Sequence, residues 1–227
     1  MSTCPFWTSY SGTSEYCVAP TELLVDVFNV VGATLTDYTA SVGDTGAVIT
    51  NGLSRITTDS SILGGSRDSA VSLLSGTTAS IEEGIFGFMA YTDIMSPDPG
   101  RAQVKWDGGS TGSSSIAYTG LGSIDVHTKT NLDLSITFFL DCVVEISLYT
   151  SSGNWTKVSF TNTGWHDVTT IHIPLVRFTD TSGTYGDYTV VRTGTGTDLA
   201  NVGAIVIDFN RAGTAYASLA LGKVSFL

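Results

Sequence analysis

Apolar and polar residues alternate along most of this chain with a period of two, the mark of strands that bury one face. The clearest run is "LDLSITFFLDCVVEISLYTS", where Leu134, Ile136 and Phe138 alternate, followed by Val144, Ile146 and Leu148. It is too long for one strand, so a bend or turn is expected at Leu140-Asp141. "GRAQVKWDGG" sets Val104 and Trp106 on one face and stops at Asp107-Gly108. "WTKVSFTNTGW" sets Val158 and Phe160 together. In "VTTIHIPLVRF", Ile171, Ile173 and Leu175 point inward, His172 and Pro174 outward. Proline donates no ladder hydrogen bond, so Pro174 implies an edge strand or a strand end. "AIVIDFN" turns Ile205, Ile207 and Phe209 inward, and "YASLALGKVSFL" supplies a last strand. "TGAVITNGLSRITTD" reads as two strands joined by a hairpin at Asn51-Gly52.

No segment carries a convincing helical period. The best helical window, "APTELLVDVFNVVGA", holds Val25, Val27, Val30 and Val31, whose branched side chains favour strand. "DTSGTYGDYTVVRTGTGTDLANVG" reads as the longest loop. Strands therefore recur every roughly 10–15 residues between turn clusters, without βαβ units. The expected fold is all-β, an antiparallel two-sheet β-sandwich of the jelly-roll type. Residues 23–227 form its single domain, and residues 1–22 are an N-terminal appendage.

Composition sharpens this. Charged residues are 14% of the 227, well under the usual quarter, and Gly, Ser and Thr take their place, as suits an extracellular surface. The net charge of −11 disfavours nucleic acid, since phosphate binding needs clustered Lys and Arg. No run of about 18 apolar residues offers a membrane span. The three cysteines allow one bridge. Cys4 and Cys17 flank an aromatic-rich loop that a disulfide would close, while Cys142 sits in a strand and packs as a small apolar residue.

Candidate chemistry is sparse. Arg67-Asp68 in "ILGGSRDSAVSLLSG" reads as a corner made by Gly64-Gly65, with Arg67 bonded to backbone carbonyls or a nearby acid. Glu82 and Glu83 are adjacent, so in a strand they face opposite ways and make no hydrolytic pair. The spacing of His127, His166 and His172 fits no zinc motif, and no GxSxG stands at a strand–turn–helix. Catalytic residues are therefore expected to be none. The acidity suits one structural calcium, with Asp26 near the start and Asp208 near the end as its candidate ligands. Trp155, Trp165 and Tyr185 are the candidate ligand-binding residues, because flat aromatic faces beside polar groups suit sugar rings.

In order, "LLVDVFN", "ILGGSRD", "QVKWDG", "TGLGSIDV", "LDLSITFF" and "VGAIVIDFN" resemble a series found in secreted bacterial β-sandwich proteins, many with a PEP-CTERM sorting tail. The resemblance covers about residues 23–227 and implies an exported protein with no catalytic residues to carry over. "LLVDVFN" lacks the second acid of that family's start, and the sequence stops after "LGKVSFL", where the tail would begin. Two functions follow as expectations: a secreted structural subunit that associates with itself, or a jelly-roll carbohydrate-binding module whose partner is a polysaccharide.

Overall fold

The computed structural model describes residues 22–30, 34–38, 46–85, 88–92, 100–109, 115–138, 142–162, 166–211 and 217–227. Cys4, Cys17 and Trp165, and with them the expected disulfide, lie outside these residues. The chain builds two antiparallel sheets. One is seven-stranded and contains β1 (Leu23–Asp26), β2 (Leu35–Asp37), β5 (Ala79–Ile85), β6 (Phe88–Thr92), β8 (Asn131–Phe138), β11 (His166–Pro174) and β15 (Ser218–Phe226). Its order is β11-β8-β15-β6-β5-β2, with β1 also on β15. The other is eight-stranded, with β3 (Leu53–Thr58), β4 (Ser66–Leu73), β7 (Gly100–Trp106), β9 (Cys142–Ser151), β10 (Asn154–Asn162), β12 (Gly183–Tyr185), β13 (Tyr188–Thr193) and β14 (Ala204–Phe209). Its order is β12-β13-β10-β9-β14-β7-β4-β3.

The alternating residues pack where their period puts them. Leu134 and Ile136 from one sheet meet Val144, Ile146, Leu148, Ile205, Ile207 and Phe209 from the other in a single core. Trp106 and Cys142 join them. The break expected near Leu140 is a change of sheet: β8 ends at Phe138 and β9 begins at Cys142 on the opposite layer. Pro174 closes β11, an edge strand.

Two local expectations are corrected. The segment before Asn51-Gly52 is not a strand, and β3 pairs with β4 instead. Ala47 O takes a hydrogen bond from Gln103 at 2.9 Å and Ile49 is fully buried, so packing against the sheet replaces pairing along an edge. The stretch read as the longest loop contains the β12–β13 hairpin, turned at Gly186 with φ +63°. Its "YTVVRT" is β-branched, and that preference prevails over the surrounding glycines. Trp155 lies inside β10.

The Gly64-Gly65 corner is present, both residues at positive φ, but β4 starts at Ser66, so Arg67 is within the strand. Its side chain is fully buried between the sheets. It donates to Asp26 at 3.0 Å and to Val30 O at 2.8 Å, and lies 3.3 Å from Glu83. The Phe28 ring covers it, its centroid 4.9 Å away. Trp106 Nε1 also donates to Asp26, at 3.0 Å. Glu83 points inward, opposite to Glu82, as adjacent strand residues must.

Candidate functional site

The outward face of the eight-stranded sheet carries an unusual load of charge. Along β7, Arg101, Gln103 and Lys105 alternate with the core residues Ala102, Val104 and Trp106. All three outward side chains are nevertheless buried. Arg101 Nε donates to Asp208 at 2.8 Å, and Gln103 Nε2 donates to the same carboxylate at 3.1 Å. Lys105 Nζ lies 3.2 Å from Asp68 and 3.4 Å from Asp107. Burial pushes both Asp68 and Asp208 above the usual carboxylate range, against the pull of Lys105 and Arg101 respectively.

Chain segments roof this half of the face. Ala47 O caps Gln103 and Ser115 O accepts from Lys105 Nζ. Ala117 N–H donates to Asp107 at 2.8 Å, and Ile116 packs on Ala204 and Val206. The roof sits close. A Cβ on Gly203 would come within 2.1 Å of Tyr118 O, so only glycine fits.

Beyond the roof, the outward residues of β10 and β13, and Glu145 on β9, are reached by solvent, while Ser147 and Tyr149 on β9 are buried. Trp155 is half-buried, its ring centroid 5.9 Å from that of Tyr149 at an interplanar angle of 42°. Tyr118, from the roof, stands 5.3 Å from Tyr149. Burial lifts the Tyr149 hydroxyl to a pKa of about 12, so it is neutral at physiological pH. Two residues along β10 from Trp155, and so on the same face, Lys157 Nζ donates to Glu145 at 2.8 Å. Arg211 reaches the other Glu145 oxygen at 3.3 Å. Thr193, Val191 and Thr189 on β13 stand opposite Trp155, Lys157 and Ser159. The result is an aromatic ridge at the rim of a roofed surface, with an ion-paired polar floor beside it. An indole braced from one side offers its free surface to an apolar ligand face, while Lys157 and Glu145 supply donor and acceptor to hydroxyls.

The other expected site residues are placed elsewhere. Tyr185 pairs with Tyr188 at the opposite end of β13 from Thr193, the partner of Trp155, roughly 17 Å along a strand. Arg177 lies over its ring at 5.1 Å and its hydroxyl donates to Thr181 O at 2.9 Å. Asp26 and Asp208 are not brought to a shared site: Arg67 holds the first and Arg101 the second. Among the described residues, no group of three or more His, Cys, Asp or Glu side chains is placed to hold a metal ion. Glu145, Lys157 and Tyr118 escaped the sequence reading. The signal was there for two of them, since Lys157 alternates with core Val158 and Glu145 with core Val144 and Ile146.

No protein-family model and no curated protein matches the chain. Among solved structures, it is similar to the family 11 carbohydrate-binding module from Clostridium thermocellum in complex with a β-1,3-1,4-mixed-linked tetrasaccharide. That similarity has 11% identity and TM-score 0.43, covering 91% of this chain and 95% of that one. The same family's module from the cellulosomal cellulase Lic26A-Cel5E of Clostridium thermocellum gives 12% identity and TM-score 0.43, over 92% and 95% of the two chains. An exo-β-agarase gives 9% identity and TM-score 0.42, with 91% of this chain matching 24% of the agarase. Values at this level leave any ligand to be argued from Trp155 and its neighbours.

Proposed function

We propose that this chain is a non-catalytic carbohydrate-binding domain working outside the cell, and that a polysaccharide crosses the outward face of β9, β10 and β13 with one sugar ring on Trp155. One arrangement carries this reading: a partly buried indole, braced by Tyr149, two positions from the Lys157–Glu145 pair on the same face. A pyranose has an apolar C–H face and a rim of hydroxyls, and this surface offers the complement of both. Burying a ring face contributes only about 1 kcal/mol or so per contact, so several contacts along the chain are needed for useful affinity.

Affinity electrophoresis through gels containing different soluble polysaccharides tests it. At least one polysaccharide should retard the protein, and Trp155→Ala should abolish the retardation while moving the melting temperature by only a few degrees. Undiminished retardation in Trp155→Ala would remove the reading.

A structural, self-associating role has one observation in its favour. β3 is an edge strand whose first three residues are exposed, with Leu53 at 44%. Such an edge can add a strand from a second copy. Sedimentation of the concentrated protein decides between a monomer and an assembly.

A further inference from the structure

On the opposite side of the sandwich, the outward face of the seven-stranded sheet holds a trough of about 230 Å³. It is lined by Glu22, Asp133, Ser135, Thr170, His172, Lys223 and Ser225. Apart from Glu22, which immediately precedes β1, each lies on the outward alternation of its strand: Asp133 and Ser135 between core Leu132, Leu134 and Ile136, His172 beside core Ile173, and Ser225 between core Val224 and Phe226. Register places them in two rows. Ser225, Asp133 and His172 are cross-strand partners in one, and Lys223, Ser135 and Thr170 in the next.

The chemistry of the lining narrows the ligand. Asp133, only 8% exposed in its side chain, accepts a hydrogen bond from His172 Nδ1 at 2.8 Å through Oδ1. Glu22 is paired with Lys223, and this contact together with the Ser225 hydroxyl holds its carboxyl below the usual range. Positive charge is therefore matched by carboxylates, which gives phosphate, sulfate or carboxylate ligands nothing to gain. The lining side chains are all polar, so an apolar ligand would strand their hydrogen-bonding groups. What fits is a neutral molecule carrying many hydroxyls, each both donor and acceptor, with two of them in reach of one carboxylate.

We propose that this trough is a second carbohydrate site, taking a short neutral saccharide or a chain end through hydroxyl contacts without aromatic stacking. The ligand class follows from the trough's own residues. Together with the Trp155 face, which rests on the function proposed above, it gives the domain two sites on opposite surfaces, so that one molecule bridges two glycan chains. Bridging raises the avidity of a surface-bound array well beyond that of either weak site.

The test is an amide-resolved NMR titration of the full chain with glucose, galactose, mannose, xylose and the mixed-linked glucan tetrasaccharide as separate probes. At least one should shift the amides of Ser135, Thr170, His172 and Ser225. Thr170→Val, exposed on an edge strand and suited to β structure, and Asp133→Asn should each weaken that response tenfold or more and leave the Trp155 amides responding as before. Trp155→Ala should do the reverse. If no probe shifts the trough amides, or if the shifts persist unchanged in both variants, the second site is wrong. Failure at Trp155 with a surviving trough response would sink the function proposed for the Trp155 face and leave the trough standing.

Discussion

The Arg67 guanidinium lies 3.0 Å from the Asp26 carboxylate, with neither side chain more than 1% exposed. It joins the first strand of one sheet to β4, one strand in from the edge of the other, with Glu83 as a second acid at 3.3 Å. Removing a partner from a buried ion pair leaves an uncompensated charge, at a cost of about 3–5 kcal/mol. Arg67→Met should therefore lower the unfolding free energy by about that amount, and Arg67→Lys should recover little, because a single ammonium cannot span both acids and Val30 O. Urea denaturation measures it. A loss below about 1 kcal/mol, on the scale of an exposed pair, would mean the cluster is not structural.

Asp68 should behave in the opposite sense. Burial raises its carboxyl above the usual value, with Lys105 opposing, so the folded protein holds this proton more tightly than the unfolded chain. A group with a raised folded pKa makes stability fall as pH rises from the unfolded value of about 4 through the folded one. Asp68→Asn should make the protein more stable than the parent at neutral pH, with the gain vanishing below about pH 4. Lys105 keeps Asp107 as a partner in that variant. Urea curves at several pH values report this. A variant less stable at neutral pH would show that attraction to Lys105 outweighs the burial cost.

Tyr149 braces Trp155, their ring centroids 5.9 Å apart. Its hydroxyl pKa of about 12 implies that its absorbance change on ionisation falls later in an alkaline titration than that of an exposed tyrosine. Tyr149→Phe should remove that late component and keep polysaccharide retardation. Tyr149→Ala should free the indole to rotate and weaken retardation, a difference that a purely distant tyrosine would not produce.

Gly203 offers a check on the roof. A methyl there would meet Tyr118 O at 2.1 Å and the Thr119 backbone at 2.9 Å, so Gly203→Ala must push residues 118–119 away. The expected result is a stability loss of about 1–3 kcal/mol from overpacking, with quenching or shift of Trp155 fluorescence as the aromatic ridge is disturbed. An unchanged melting temperature would mean that the roof is loosely held.

The inner half of this fold was readable because it obeys a local rule. Leu134, Ile136, Val144, Ile146, Ile205 and Ile207 need only a two-residue period to declare their face. The outer half obeys no such rule. Arg101, Gln103, Lys105 and Asp208 look like solvent residues in sequence, and they are buried because segments distant in the chain cover them. That is a tertiary event with no local signature. The same reason explains Asn51-Gly52, where a strong turn signal yielded to the burial of Ile49, and Arg67, whose partners Asp26 and Glu83 are 41 and 16 residues away. Of the aromatic candidates, Trp155 stands on an open face, while a cation covers Tyr185, and nothing in their sequence neighbourhoods separates the two.

β1 and β15 run side by side in opposite directions, Leu23 against Phe226 and Leu24 against Ser225. Tension applied at residues 22 and 227 therefore enters at the same end of one strand pair. It loads the ladder rung by rung, like a zipper, and does not shear all the rungs at once. A domain gripping glycan on its two broad faces while pulled from this corner would yield first at that seam, at low force, and lose Asp26 from Arg67 as soon as the seam opened.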